Sequence, residues 1–202
     1  STTTSPHFLL KQKCGDNILY EFQSGFRGKY SKATCLTYLH EFVRKEISLG
    51  RYVGMVMIDF RKAFDTVNHT ILCDKLKSVG FDSSAVSWFQ SHLQNQTQLV
   101  TVNGVSSDVM EISCGVPQGS ILGPLLFNLY VNDMCSSVDC KLILYADDSV
   151  LLVSHKDFDF VESTLSSNLQ SLSVWLLDNK LSLHLGKTES MLFGSRKKTK
   201  IS

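Results

Sequence analysis

Apolar residues recur at near-helical spacing in several stretches of the chain, and each of these stretches predicts a helix that buries one face. The predicted helices cover 31–49, 66–79, 84–93, 120–134 and 157–177. Gly50 and Gly80 directly follow the first two, and glycine is a common residue at a helix end. The segment 120–134 is so rich in apolar residues that we expect its helix to be largely buried.

Shorter apolar runs predict strands. A run rich in Val, Ile and Met over 52–58 is typical of a strand that is buried on both faces. Further strands are predicted over 97–102, 109–113, 142–145, 150–153, 181–185 and 190–193. Asn103-Gly104 supplies the positive φ values that a two-residue hairpin turn requires. Because helices and strands are intermixed, we predict an α+β domain whose helices pack against one face of the sheet.

Two adjacent carboxylates, Asp147 and Asp148, lie at the predicted tip of a tight hairpin between apolar strands. Acidic residues at such tips are commonly solvated turn formers. A third carboxylate, Asp59, ends the apolar run over 52–58, and three such groups can carry a pair of divalent cations that stabilise charge in phosphoryl transfer. The pattern therefore predicts a metal site at which these three side chains meet.

A glycine-containing loop over 115–119 comes directly before a predicted helix. Its glycines allow a close approach of backbone to a ligand, its proline stiffens it, and the helix N-terminus favours an anionic ligand. A plain loop-to-helix junction is the alternative interpretation. Asp65, just before the helix predicted over 66–79, is interpreted as the N-cap of that helix.

Composition adds few constraints to this picture. A chain of 202 residues fits one domain, and a formal net charge of +1 gives no global sign of a nucleic-acid binder. Lys and Arg gather locally at 27–32 and 61–62, and in a basic run at 196–200 that is typical of a solvated tail. Six cysteines without metal-ligand spacing, and the lack of a signal peptide or a transmembrane run, predict an intracellular protein outside the membrane.

Several ordered segments carry a resemblance to a known family. They are QSGFR at 23–27, IDFRKAFDTV at 58–67, GVPQGSILGP at 115–124, YADD at 145–148 and GKT at 186–188. With this order and spacing the chain resembles reverse transcriptase domains, in particular those of non-LTR (LINE-type) retrotransposons, continuously from Gln23 to about Phe193. The resemblance implies a polymerase palm with an antiparallel sheet backed by helices, plus partial fingers.

The activity implied by the resemblance is RNA-directed DNA synthesis by two-metal nucleotidyl transfer in retrotransposition. A primer 3′-hydroxyl would attack the α-phosphate of a deoxynucleoside triphosphate. Two Mg²⁺ ions about 3.5–4 Å apart, or Mn²⁺ in their place, would be held by Asp59 and Asp147, with Asp148 as a looser third ligand. The implied partners are an RNA template, a DNA primer and deoxynucleoside triphosphates, in the cytoplasm or nucleus, while the oligomeric state stays open.

Further positions receive substrate roles from the same resemblance. Phe64 corresponds to an aromatic residue beneath the sugar of the incoming nucleotide, where a ring excludes a 2′-hydroxyl, although the pattern alone favours an ordinary core position. Gln118 and Gly119 belong to the loop that contacts the nucleotide and the template strand. Lys187 corresponds to a lysine that protonates the departing pyrophosphate, but His184 stands where the family commonly has asparagine.

The whole chain, 1–202, is interpreted as a single reverse transcriptase domain, with partial fingers over 1–50 and mostly palm, with a finger-like insertion, over 51–195. Arg27 in the finger segment is expected at the template or triphosphate, and surface solvation is an equal alternative for it. An earlier finger arginine and a thumb are not found. We therefore expect a fragment of a longer element protein, with weak or absent activity in isolation.

Other functions stay open at this point. A group II intron maturase or a telomerase-like enzyme would share the chemistry. A catalytically silent remnant or a nucleic-acid-binding module would lack it, and a palm-domain nucleotidyl cyclase would make no use of a template. Templated primer extension distinguishes these classes.

Overall fold

The computed structural model describes residue 10 and residues 18–28, 30–94, 96–117, 119–120 and 122–194. The helices there are α1 (Lys32–Ser48), α2 (His69–Ser78), α3 (Ser83–Leu93), α4 (Leu122–Tyr130) and α5 (Phe158–Asp178), with 3₁₀ turns at Ala63–Asp65, Asn132–Ser137 and Leu185–Lys187. The strands are β1 (Tyr52–Asp59), β2 (Thr97–Gln98), β3 (Thr101–Val102), β4 (Val105–Ser106), β5 (Met110–Glu111), β6 (Lys141–Tyr145), β7 (Asp148–His155) and β8 (Glu189–Phe193). Among these residues, none of the helices combines the length and apolarity that crossing a bilayer requires.

One four-stranded sheet, in the order β6-β7-β1-β8, organises the domain. β1 pairs antiparallel with β7 along its full length, from Tyr52 opposite His155 to Asp59 opposite Asp148. On its other side β1 pairs with β8, and β6 forms a hairpin with β7. The last residue of β1 and the turn of the β6–β7 hairpin therefore lie side by side at one end of the strands.

Helices cover both faces of this sheet, so the prediction of helices on one face is wrong in that respect. Side chains alternate along β1, and Val56 and Ile58 join the large core that is closed by α5 and α4. Val53 and Met55 point the other way and pack against the apolar side of α1. Burial on both sides explains why β1 is an uninterrupted apolar run and confirms its predicted character.

All five predicted helices are confirmed, but one begins later and one ends earlier than predicted. The interpretation of Asp65 as a helix cap is wrong, because this residue closes the 3₁₀ turn Ala63–Asp65 and α2 begins only at His69. Asn68 is the N-cap, and its Oδ1 accepts hydrogen bonds of 3.1 Å from the backbone N–H groups of Thr70 and Ile71. The helix predicted to reach residue 134 ends at Tyr130 and continues as the 3₁₀ turn Asn132–Ser137.

The minor strands follow the prediction in part. Asn103 and Gly104 both adopt positive φ, at 51° and 81°, and join β3 to β4 by the predicted two-residue turn. The strands between residues 97 and 111 form two separate two-stranded ladders, because β2 pairs with β5 and β3 pairs with β4. The strand predicted over 181–185 is wrong: Leu183 forms a single bridge with Phe60, and the chain then enters a 3₁₀ turn.

Replacing Asn68 with Ala should lower the free energy of unfolding by about 1 kcal/mol, because the first turn of α2 loses its side-chain acceptor. Urea titration followed by circular dichroism measures the change. The variant Asn68→Ser keeps a cap-competent oxygen and should recover most of the lost stability. Equal stabilities of the Ala and Ser variants would show that the cap contributes nothing.

Candidate active site

Acidic residues from two distant stretches meet where β1 ends. Asp59, the last residue of β1, lies directly opposite Asp148, the first residue of β7. Directly opposed residues of antiparallel strands project from the same face, so both carboxylates lie on the α1 side of the sheet. Asp147 occupies the turn that joins β6 to β7, adjacent to this pair. The structure thus brings together the three aspartates singled out in the sequence.

The electrostatics of this cluster are strained by like charges. The pKa of Asp148 is raised, first by loss of solvation and then by the negative charges of Asp147 and Asp59, while Lys32 acts in the opposite sense. In the described part of the chain no group of three or more His, Cys, Asp or Glu side chains is arranged so that it could hold a metal ion. The carboxylates are neighbours that repel one another.

A cleft of about 390 Å³ opens beside the carboxylates. Its lining combines apolar side chains of α1 and of the sheet with five charged residues, Lys32, Asp59, Asp148, Lys187 and Glu189. Lys32 is the first residue of α1, so the start of that helix supplies one cationic side of the cleft. In the sequence this lysine stands out only as part of the local basic cluster at 27–32.

Lys187 lies at the same end of the strands, in the segment that follows α5. The N–H of His184 donates to the carbonyl of Asp59 at 2.8 Å, and this bond docks the segment against the end of β1. The ammonium of Lys187 then lies 3.7 Å from a carboxylate oxygen of Asp59, while its side chain stays exposed. Lys187 thus lies beside the carboxylates, while its expected role at the triphosphate stays a prediction, and the segment before it forms a bridge and a 3₁₀ turn instead of the predicted strand.

Phe64 is half-buried in an aromatic cluster at the side of the site. Its ring lies 4.6 Å from that of Phe127 and 6.3 Å from that of Phe26, measured between centroids. The Phe64 carbonyl accepts a hydrogen bond of 2.8 Å from the N–H of Val116, so the 115–117 loop docks directly onto this segment. Phe64 is thus both a packing residue and a partly open surface next to the loop.

The rest of the loop is described only in part. Gly119 is exposed and adopts a φ of +80°, a conformation that favours glycine. Gln118, for which a nucleotide and template contact was expected, lies outside the described residues. The backbone N–H of Gly123 in α4 donates to Ser120 Oγ at 2.9 Å, so α4 begins shortly after the loop, as predicted.

Arg27 is not brought to the carboxylates. Its Nη1 donates to the backbone carbonyls of Tyr20 and Gln23 at 3.3 and 3.5 Å, and its guanidinium lies 4.7 Å from the centre of the Tyr30 ring. It lines a separate cleft that also contains Asn132. The geometry gives Arg27 a role in holding its own segment and does not support the expected contact with a triphosphate.

The turn that joins β6 to β7 and carries Asp147, called the acidic turn below, packs against Gly25, a contact that the sequence did not predict. Ala146 precedes Asp147 in the turn and has a left-handed φ of 56°. Gly25 packs so closely on this turn that an added Cβ would lie 2.1 Å from the Ala146 nitrogen. The sequence signal was present, since Gly25 belongs to the QSGFR motif, but nothing local to that motif indicated its contact.

Comparison of the sequence with protein families gives a match to the model described as reverse transcriptase (RNA-dependent DNA polymerase) over residues 7–201. The RNA-directed DNA polymerase from mobile element jockey of Drosophila melanogaster is 28% identical over 196 residues, which cover 93% of this chain and 21% of that protein. The probable RNA-directed DNA polymerase from transposon BS of the same organism is 31% identical over 166 residues, covering 78% of this chain and 18% of that protein. The chain thus spans about a fifth of the length of these relatives.

Solved structures with a similar fold include apo telomerase from Candida tropicalis truncated from its C-terminal domain. It superposes with a TM-score of 0.71 at 14% identity, covering 98% of this chain and 42% of that one. Telomerase from Candida tropicalis in complex with a TWJ fragment of telomeric RNA gives 0.69 at 16% identity, covering 94% and 34%. At these identities the likeness establishes the shared polymerase palm fold.

The variant Asp59→Asn should lower the pKa of Asp148, because it removes one of the negative charges that raise it. A carboxyl whose pKa is raised by folding destabilises the native state while it is ionised. Asp148 therefore costs stability at neutral pH, and this cost disappears as the pH falls below the unfolded value of about 3.9. Carbon-13 NMR titration of the aspartate carboxyls measures the change in the pKa of Asp148. The exposed Asp74→Asn serves as control, and an Asp148 titration that is unchanged in Asp59→Asn would contradict the charge coupling.

Proposed function

The chain belongs to the reverse transcriptase family, and from that premise we propose that it catalyses RNA-directed DNA synthesis in retrotransposition. Deoxynucleotides would be added to a primer 3′-hydroxyl by two-metal nucleotidyl transfer. The observation that carries the proposal is the register of β1 and β7, which sets Asp59 opposite Asp148 beside the turn residue Asp147. Because the chain spans about a fifth of its relatives, the activity is proposed for the domain and not for a complete element protein.

Asp59, Asp147 and Asp148 would hold the divalent metal that this family normally uses. Carboxylate oxygens are the ligands that Mg²⁺ prefers, and a cation between them would relieve the mutual repulsion that, after loss of solvation, raises the pKa of Asp148. The chemistry of these oxygen donors therefore suits Mg²⁺, with Mn²⁺ as a second candidate, although the three carboxylates are not arranged as a ligand set in this structure. When bound, the ions supply activation of the 3′-hydroxyl and neutralisation of the triphosphate charge.

The remaining groups would orient the nucleotide. Lys187, exposed and 3.7 Å from a carboxylate oxygen of Asp59, would attract the triphosphate and protonate the departing pyrophosphate. Phe64 would lie against the sugar, and the Gln118-Gly119 loop would contact the nucleotide and the template. The partners we propose are an RNA template, a DNA primer and deoxynucleoside triphosphates, in the cytoplasm or nucleus. We assign no substrate contact to Arg27, because its guanidinium is engaged by its own segment.

Primer extension on poly(rA)/oligo(dT) with Mg²⁺ tests the activity, with the 202-residue chain compared to Asp147→Asn. Loss of a metal ligand removes several kcal/mol of transition-state stabilisation, so the rate should fall by about 10²–10⁴-fold. Template-independent product would indicate another class of palm enzyme. Duplex binding without extension by the parent chain would favour a binding module.

Mg²⁺ binding is measured independently of catalysis by thermal denaturation. A cation that binds the folded chain raises its melting temperature, and the rise should grow with Mg²⁺ concentration. It should be absent in Asp147→Asn and retained in Asp157→Asn, which alters the N-cap of α5 at the far end of β7. An equal rise in parent and Asp147→Asn would place the ion elsewhere.

Replacing Phe64 with Val should increase the use of ribonucleotides relative to deoxynucleotides, because the smaller side chain leaves room for a 2′-hydroxyl. The measurement is the ratio of kcat/KM for dTTP and UTP in single-nucleotide incorporation. Phe127→Leu disturbs the same aromatic cluster from the buried side and should leave the ratio near that of the parent. A similar change in both variants would assign Phe64 to packing alone.

A further inference from the structure

We propose that Asn128 is a positioning residue for the acidic turn and that it acts through Gly25. The inference deepens the proposed function and rests on it, because the turn carries Asp147. Asn128 lies on α4 and is fully buried, so it does not touch a nucleotide. Its effect would be to fix where the metal-binding carboxylates are held.

The 22–25 segment is hydrogen-bonded to β6. The N–H of Leu144 donates to the Phe22 carbonyl at 3.0 Å, and the N–H of Ser24 donates to the Leu144 carbonyl at 2.8 Å. This segment therefore extends the sheet as a short parallel bridge along the outer edge of β6. It ends with Gly25 pressed against the turn, where an added Cβ would meet Ala146 N at 2.1 Å.

The peptide groups of Gly25 are hydrogen-bonded on both sides of the residue. Gln23 Oε1 accepts a hydrogen bond of 2.8 Å from the Gly25 N–H, and Asn128 Nδ2 donates one of 2.6 Å to the Gly25 carbonyl. Gln23 and Asn128 are both buried. Asn128 is thus a direct tie from the core of the domain to the residue on which the turn rests.

The side chain of Asn128 also carries an energetic cost. Asn128 Oδ1 is buried and has no hydrogen-bond partner among the described residues, which is unfavourable. Leucine has the same branching and would avoid this cost, at the expense of leaving the Gly25 carbonyl unpaired. The two effects oppose each other, so we expect asparagine to bring little net stability here. The turn does need support, because the left-handed backbone of Ala146 is unfavourable.

The test compares Asn128→Leu with Asn168→Leu. Asn168 is a matched control: it is also buried, and its Oδ1 accepts from the N–H groups of Asp139 and Cys140, just before β6 and at the opposite end of that strand from the turn. Equilibrium Mn²⁺ binding is measured by electron paramagnetic resonance, and amide hydrogen exchange at Gly25 and Leu144 by NMR. Neither readout requires catalysis.

We expect Asn128→Leu to weaken Mn²⁺ binding by about tenfold or more and to accelerate exchange at Gly25 and Leu144, with little change in melting temperature. Asn168→Leu should lower the melting temperature and leave Mn²⁺ binding as in the parent. Parental exchange rates and Mn²⁺ affinity in Asn128→Leu would overturn the inference. If the parent chain binds no Mn²⁺, the proposed function fails, and the exchange rates alone still decide whether Asn128 positions the turn.

A second pair of variants tests the Gly25 contact directly. Gly25→Ala should abolish Mn²⁺ binding or weaken it more than Asn128→Leu does, because its Cβ would displace the turn. Gly28→Ala, in the same segment, adds a methyl group that meets nothing within 4 Å and should behave as the parent. Parental Mn²⁺ binding by Gly25→Ala would contradict the transmission through Gly25.

Discussion

The pairing of β1 with β7 is the interaction on which the rest of the structure depends. A shift of one residue in its register would turn the side chain of Asp59 to the opposite face, away from Asp148. Apolar residues on both faces of β1 do not by themselves prevent such a shift. Gly54 disfavours it, because an added Cβ at this position would lie within 2.6 Å of side-chain atoms of Leu165 and Val161 on α5. A register that placed Val53 or Met55 under α5 would force these side chains to move, so packing far from the carboxylates favours the register that opposes them.

The same pairing concentrates like charges at the strand ends, which is unfavourable for folding. The sheet tolerates this because the backbone positions of the carboxylates are fixed by hydrogen bonds and close packing that do not depend on charge. Asp59 is also tied by its carbonyl to His184, which brings the ammonium of Lys187 near. Backbone hydrogen bonds and close packing around the site therefore keep the carboxylates together against their mutual repulsion. Such a local cost is common where binding requires a concentrated charge.

The sequence was sufficient for the elements whose signal is local. The apolar run of β1, the Asn103-Gly104 turn and the helices are visible as periodicity or turn chemistry within a few residues. The cap of α2 was misassigned to Asp65 because a 3₁₀ turn separates that residue from the helix, and periodicity does not distinguish a 3₁₀ turn from an α-helix over three residues. The tie between Asn128 and Gly25 joins residues 103 positions apart and was invisible for that reason. Likewise, an amphipathic pattern shows that α1 buries a face but not which face of the sheet it covers.

In the proposed reaction, local charge and not the net charge of +1 would decide how tightly the cleft binds a nucleotide. Solvent ions screen exposed charges beyond about 8–10 Å, so only groups at the rim of the cleft matter to a bound triphosphate. Two of these, Lys32 and Lys187, are cationic, and they stand beside carboxylates that would repel phosphate. In the proposed reaction the cleft would therefore bind the triphosphate weakly while the carboxylates carry their full charge. It would bind the triphosphate more tightly once a divalent cation neutralises that charge. Nucleotide affinity and divalent-cation affinity are then coupled, each raising the other by the same factor, and this coupling originates in the register that set Asp59 opposite Asp148.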